Sequence, residues 1–203
     1  LKVVGLGGSL AAPSRSLAAL RAALAGASKA GSETELLDLR ELQLPLYVPI
    51  ETSVPEGARR LLEASGECGA MVWSSPLYQG TVSGAFKNAL DWLHLLSDHE
   101  PAFLSDQVIG LVAPAGGVQG LQAVNTMEFS VRALRAFALP LVVTVGLAAK
   151  AIDAAGNVTD TSVRESLESL GREVVRIAGR FHTSGNLESE CAKAAERLAL
   201  AAA

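Results

Sequence analysis

Apolar positions along the chain follow two alternating rhythms. Short runs with little polar interruption, at residues 2–6, 33–39, 70–73, 107–113 and 141–145, read as five strands. Several are apolar at almost every position, as strands covered on both faces of a parallel sheet must be. Between them the apolar spacing becomes helical: Leu17, Leu20, Leu24 and Ala27; Ala58, Leu61, Leu62 and Ser65; Phe86, Ala89, Leu90 and Leu93; Val124, Met127, Val131 and Leu134. The clearest stripe, Val163, Leu167, Leu170, Val174, Ile177 and Phe181, predicts a long helix across one face, with Ser162-x-x-Glu165 as its capping box. Pro76 is expected to end the third strand, and Pro140 to halt the helix before the fifth. Strands alternating with helices imply a doubly wound α/β sheet. Residues 1–185 are expected to form one domain, and residues 186–203, alanine-rich with little to bury, a helical or loosely ordered tail.

Composition narrows the partners. A chain of 203 residues, 49% hydrophobic and 19% charged, can bury roughly 70% of its unfolded surface without a disulfide or structural metal. Its formal net charge of −4 argues against a nucleic-acid surface, which needs a basic stripe. No apolar run is long enough for a membrane span, and the first residues lack a signal-peptide pattern, so no membrane partner is expected. Cys68 and Cys191 lie far apart with no C-x-x-C pair, which suits buried or incidental thiols in a reducing cytoplasm. His94, His99 and His182 do not fall at metal-ligand spacing, and no metal site is expected.

The unusual residues lie in the turns after strands one, three and four. In the first, Gly7-Gly8-Ser9 and Ser14-Arg15-Ser16 lead into a helix whose unpaired amides and positive dipole end favour an anion. Ser9, Ser14 and Ser16 add hydroxyl donors, and Arg15 a charge-assisted one. The spacing is neither a nucleoside-triphosphate P-loop nor a dinucleotide G-x-G-x-x-G turn. It suits a terminal phosphomonoester, with simple capping by Ser14 as the plainer alternative. In the second turn Tyr78 can stack and hydrogen-bond, Gln79 brings an amide, and Gly80 permits close backbone approach. An ordinary connection with a surface tyrosine is the competing reading. In the third, Pro114-Ala115-Gly116-Gly117 offers backbone amides and the freedom for positive φ. With strand order 2-1-3-4-5 the three turns converge on one cleft, one holding phosphate and two holding a ring. That combination is FMN.

At these residues the chain resembles the NAD(P)H-dependent FMN reductases of flavodoxin-like fold. Gly8-Ser9-Leu10-Ala11-Ala12-Pro13-Ser14-Arg15-Ser16 is similar to that family's phosphate loop. Residues 75–92 are similar to its P-x-Y-x-G-x-x-x-G-x-x-K-N-x-x-D signature, residues 115–117 stand at its third flavin loop, and residues 152–160 resemble the segment before its last helix. The resemblance implies a three-layer sandwich around a five-stranded parallel sheet of order 2-1-3-4-5. It further implies that Ser9, Ser14, Arg15 and Ser16 hold the FMN phosphate, while Pro76, Leu77, Tyr78, Gln79, Gly80, Ala115, Gly116 and Gly117 border the ring. Gln79 stands where the family usually carries asparagine.

The implied reaction passes a hydride from NADPH or NADH to FMN and electrons onward to a small acceptor such as free flavin, a quinone or a dye. No side chain is expected to serve as nucleophile, acid or base, because the cofactor carries the redox step. A homodimer or homotetramer is implied, with residues 84–96 as the candidate contact. Two alternatives stand beside this. One is supply of reduced FMN to a partner monooxygenase, whose reductases often carry an extra tyrosine where Leu121-Gln122-Ala123-Val124-Asn125-Thr126-Met127-Glu128-Phe129-Ser130 has none. The other is a non-enzymatic electron carrier, against which the mild net charge speaks.

Overall fold

The computed structural model describes residues 1–49 and 53–201, with side chains as far as Phe181. Five strands, β1 (Lys2–Gly7), β2 (Glu33–Asp38), β3 (Ala70–Ser74), β4 (Val108–Pro114) and β5 (Phe137–Val145), form one sheet in the order β2-β1-β3-β4-β5. Every pairing is parallel. This is the expected flavodoxin-like order, with its switch point between β1 and β3.

The period of two along each strand sorts side chains into two cores. Val4, Leu6, Met71, Trp73, Ile109 and Leu111 face α3 (Glu56–Glu67), α4 (Gly84–Trp92) and α5 (Leu121–Ala133). Val3, Ala70, Val72, Val108 and Val112 face α1 (Arg15–Lys29) and α7 (Thr161–Ala201). Alternation within all-apolar strands thus supplies both interfaces of a three-layer sandwich. Two short helices, α2 (Leu39–Leu42) and α6 (Ala148–Ala151), follow β2 and β5, the first directly and the second after Gly146 and Leu147.

On the second face, α1 and α7 cross backbone to backbone. A Cβ added at Gly26 would stand 2.0 Å from Glu168 O, and one at Gly171 would stand 1.9 Å from Ala23 O. Glycines at this crossing therefore set how closely the outer helix can lie over the first. This contact fixes α1, whose N-terminus is part of the candidate site.

Three expectations need correction. Pro140 does not precede the fifth strand but lies inside it, because β5 begins at Phe137. The register jumps from Ile109↔Ala138 to Leu111↔Val142, so Pro140 occupies an irregularity on an edge strand, where a missing amide donor costs no ladder bond. Leu39 leaves β2 and opens α2, since the Asp38 carboxylate accepts from the Arg40 amide at 2.9 Å and starts a turn. The α7 N-terminus is held by Asp160, whose Oδ1 accepts from the Val163 amide at 3.1 Å, while Ser162 lies within the helix. The helix then continues to Ala201 through the expected domain boundary.

Cys68 is a buried free thiol, and burial pushes its pKa up to about 12. It stays protonated across the neutral range. The side chains of Cys191 and His182 lie outside the described residues. Among the described residues no group of His, Cys, Asp or Glu could hold a metal ion, and no helix is long and apolar enough to cross a membrane.

Candidate functional site

The carboxyl ends of β1, β3, β4 and β5 surround a cavity of about 260 Å³. Its wall brings together Ser9, Arg15 and Ser16 from the first loop, Pro76, Leu77 and Tyr78 from the second, and Ala115 and Gly116 from the third. Four of the residues read from the sequence stand off this wall: Ser14, Gln79, Gly80 and Gly117.

At one end the side chains are arranged for an anion. Ser14 caps α1, its Oγ accepting from the Leu17 amide at 3.2 Å. The same oxygen accepts from the Ser9 amide and lies 3.1 Å from the hydroxyls of both Ser9 and Ser16. Ser14 is thus the hub that orients two neighbours. Either hydroxyl can donate in the Ser14–Ser16 pair, and with Ser14 as donor the Ser16 proton is available to the cavity. Ser9 and Ser16 are only 5% and 2% exposed, so their hydroxyls are held rather than waving in solvent. The Arg15 and Ser16 amides, in the first turn of α1, have no acceptor within the helix. Arg15 Nε donates to Ile152 O at 3.4 Å, which leaves the far guanidinium nitrogens without a protein partner among the described residues.

The other end is a slot between two loops. Tyr78-Gln79-Gly80-Thr81 forms a two-residue hairpin turn, closed by Tyr78 N→Thr81 O at 2.9 Å and Thr81 N→Tyr78 O at 3.1 Å. Gln79 (φ 48°) and Gly80 (φ 82°) supply the two left-handed residues that such a turn requires. This accounts for Gly80: it serves the turn rather than a close approach at the wall. Tyr78, 49% exposed, lies at the open side. On the third loop, neither Gly116 nor Gly117 uses the freedom for positive φ that glycine allows. Among the described residues a Cβ on Gly116 would meet no atom within 4 Å, and the amides of Gly116 and Gly117 donate to no acceptor. Gly117 instead accepts from the Leu147 amide at 2.9 Å.

Backbone hydrogen bonds prolong the sheet's ladder into the loops and set their spacing. Gly8 N donates to Ser74 O at 3.1 Å, Leu77 N to Pro114 O at 3.3 Å, and Ala115 N to Val145 O at 2.9 Å. Ala148 N returns to Ala115 O at 2.9 Å, which brings Ala148 and Ala149 of α6 to the wall. These two, with Ala11 and Pro13, escaped the sequence reading. Apolar small residues carry no chemical signature, although Gly146 just past the fifth strand marked a further turn at the same edge.

Ser74 and Ser75 tie the loops by side chain. Ser74 Oγ donates to Ser16 O at 2.9 Å, joining β3 to the first turn of α1. Ser75 Oγ donates to Pro76 O at 3.1 Å and accepts from the Ser83 amide at 3.0 Å, closing the second loop across eight residues. Ser75→Ala will leave the buried Ser83 amide unpaired, at a cost of about 1–3 kcal/mol. Urea unfolding checks this expectation: an unchanged midpoint would show that the loop does not depend on the tie.

The residues present fit a flavin mononucleotide. Fixed hydroxyls, helix amides and the outer nitrogens of the Arg15 guanidinium stand at one end, and a slot beside the Gly116 and Gly117 amides stands at the other. Comparison with known proteins leads to the same chemistry. The sequence profile of a family described as NADPH-dependent FMN reductase matches residues 1–150. A relative from Shigella flexneri named NADPH-dependent FMN reductase ArsH is 28% identical over 177 residues, covering 87% of this chain and 68% of its own length. An NADPH azoreductase from Bacillus sp. (strain OY1-2) is 33% identical over 146 residues, covering 71% of this chain and 74% of its own. Among solved structures, the flavoenzyme NAD(P)H:(acceptor) oxidoreductase FerB from Paracoccus denitrificans superposes with a TM-score of 0.71 at 20% identity, covering 89% of this chain and 98% of the other.

Proposed function

Because this chain belongs to the NADPH-dependent FMN reductase family, we propose that the cavity at the carboxyl edge of its sheet is where FMN sits and NAD(P)H is oxidised. The protein is an oxidoreductase that uses FMN and NAD(P)H. The observation that carries the site assignment is the meeting of three loops, distant in sequence, at one cavity with a cluster of hydroxyls and a guanidinium at one end.

When bound, FMN supplies the capacity to accept a hydride and pass on electrons. The chain's part is to bind and orient. Ser9, Ser16, Arg15 and the first amides of α1 hold the phosphate, with Ser14 fixing the hydroxyls. Pro76, Leu77 and Tyr78 on one side, and Ala115 and Gly116 on the other, hold the ring. The amides of Gly116 and Gly117 offer donors for charge on the ring's pyrimidine side. Tyr78, half open to solvent, forms the lip at which nicotinamide and then the acceptor arrive. No side chain is assigned as general acid or base.

The acceptor in this reading is a flat conjugated molecule such as a quinone, a dye or free flavin. The absence of tyrosine from α5 favours retained FMN over supply to a partner monooxygenase. A homodimer or homotetramer built on α4 and the 3₁₀ turn Leu93–Leu96, working in a reducing cytoplasm, completes the proposal. The test is direct. Purified protein will carry flavin absorbance and oxidise NADPH or NADH when given FMN or a quinone. Bound flavin without turnover would reduce the protein to an electron carrier.

A further inference from the structure

We propose that a second crevice on the same edge, centred on Arg40, receives the 2′-phosphoadenosine end of NADPH and thereby selects NADPH over NADH. The inference rests on the reading of this chain as an NAD(P)H-dependent FMN reductase. The crevice measures about 450 Å³, within the range of small-molecule sites, and lies between the first loop, α2 and the start of α4. Leu10, on its rim, stands between Ser9 and Ala11, which line the flavin cavity. The two hollows therefore flank the same loop, so that a ligand spanning the edge of the sheet could engage both.

The lining matches an adenine with a phosphate attached. Leu10 and Leu46 are 63% and 80% exposed, large apolar side chains left uncovered at the mouth. The wall behind them is rigid. Asn88 donates to Pro45 O at 2.8 Å and accepts from the Tyr47 amide at 2.9 Å, and Trp92 Nε1 donates to Pro45 O at 2.9 Å. Leu44 and Leu46 are thus presented on a pinned segment, with Leu39 below.

Arg40 supplies the charge. Its amide is fixed by Asp38 at 2.9 Å, yet its guanidinium makes no hydrogen bond or ion pair among the described residues. Arg60, Arg172 and Arg176 pair with Glu35, Glu168 and Glu173, and Arg21, which like Arg40 has no partner among the described residues, does not line this crevice. A planar guanidinium takes a phosphate through paired hydrogen bonds, and the ribose hydroxyl of NADH offers no such partner.

The test compares wild-type holoenzyme with Arg40→Gln. The variant should raise KM for NADPH by about 10- to 100-fold, with KM for NADH within about twofold and kcat unchanged. By calorimetry, wild-type protein should bind adenosine 2′,5′-bisphosphate more tightly than AMP, and the variant should lose that preference. Equal effects on both nucleotides, or none on either, overturn the proposal. It also falls if the substitution alters the oligomeric state while the NADPH to NADH ratio stays constant, since the apolar rim then covers a second copy. Absence of turnover with either nucleotide counts against the reductase reading instead, and the calorimetric comparison still decides the crevice.

Discussion

Replacing Arg15 with alanine will weaken FMN binding by about 10- to 100-fold and leave riboflavin affinity within about twofold, because one charge-assisted bond to the phosphate carries about 1.5–3 kcal/mol. The selectivity is the important part. Riboflavin presents the same ring to Pro76, Leu77, Tyr78 and Gly116 but brings no phosphate to the serine cluster. Arg15 also anchors to Ile152 O, so its loss could loosen the wall near α6. That structural effect would weaken both ligands alike. Fluorescence titration of apoprotein with FMN and riboflavin separates the two cases, and a parallel loss for both would end the phosphate role.

Gly171→Ala will destabilise the fold by about 3 kcal/mol, at the upper end of the usual cost of forcing volume into a packed interface. The added carbon would stand 1.9 Å from the carbonyl oxygen of Ala23, a backbone atom that cannot rotate away. Alanine would ordinarily strengthen a helix interior relative to glycine by up to about 1 kcal/mol, so the collision must overcome that gain. Gly179 gives the control in the same helix. A Cβ there meets nothing within 4 Å among the described residues, and Gly179→Ala should be neutral or stabilising. Urea unfolding of the two variants reads the difference directly. If both shift the midpoint upward, α1 and α7 do not cross as closely as described. Because α1 carries the phosphate end of the site at its N-terminus, Gly171→Ala should also weaken FMN binding, unlike Gly179→Ala.

These outcomes concern residues of unequal visibility in the sequence. Ser9, Arg15 and Ser16, which meet at one cavity, stood out as candidates because hydroxyls and a cation clustered after a first apolar strand are chemically unusual. Tyr78 could be found because an aromatic beside Pro76 and Gly80 departs from an ordinary turn. Gly171 could not be singled out, since nothing local distinguishes a glycine at a helix crossing from one facing solvent. Arg40 also reads as a routine surface charge until α2, Leu10 and the Leu44–Tyr47 wall are assembled around it.

Periodicity alone determined the five strands, the major helices and, through the all-apolar runs, a sheet buried on both faces. These are properties of side-chain spacing, which a chain displays before it folds. Turn chemistry pointed to the edge of the sheet proposed to bind a phosphate and a ring. Only the tertiary structure decided the rest. Pro140 entered β5 because that strand lies at an edge, Ser14 became a hub behind the wall, and Gln79 and Gly80 turned the hairpin. The alanines of α6 reached the cavity through the Ala148 to Ala115 hydrogen bond. Each of these depends on what a residue meets across the fold, and such meetings are set by register and packing between segments far apart in the chain.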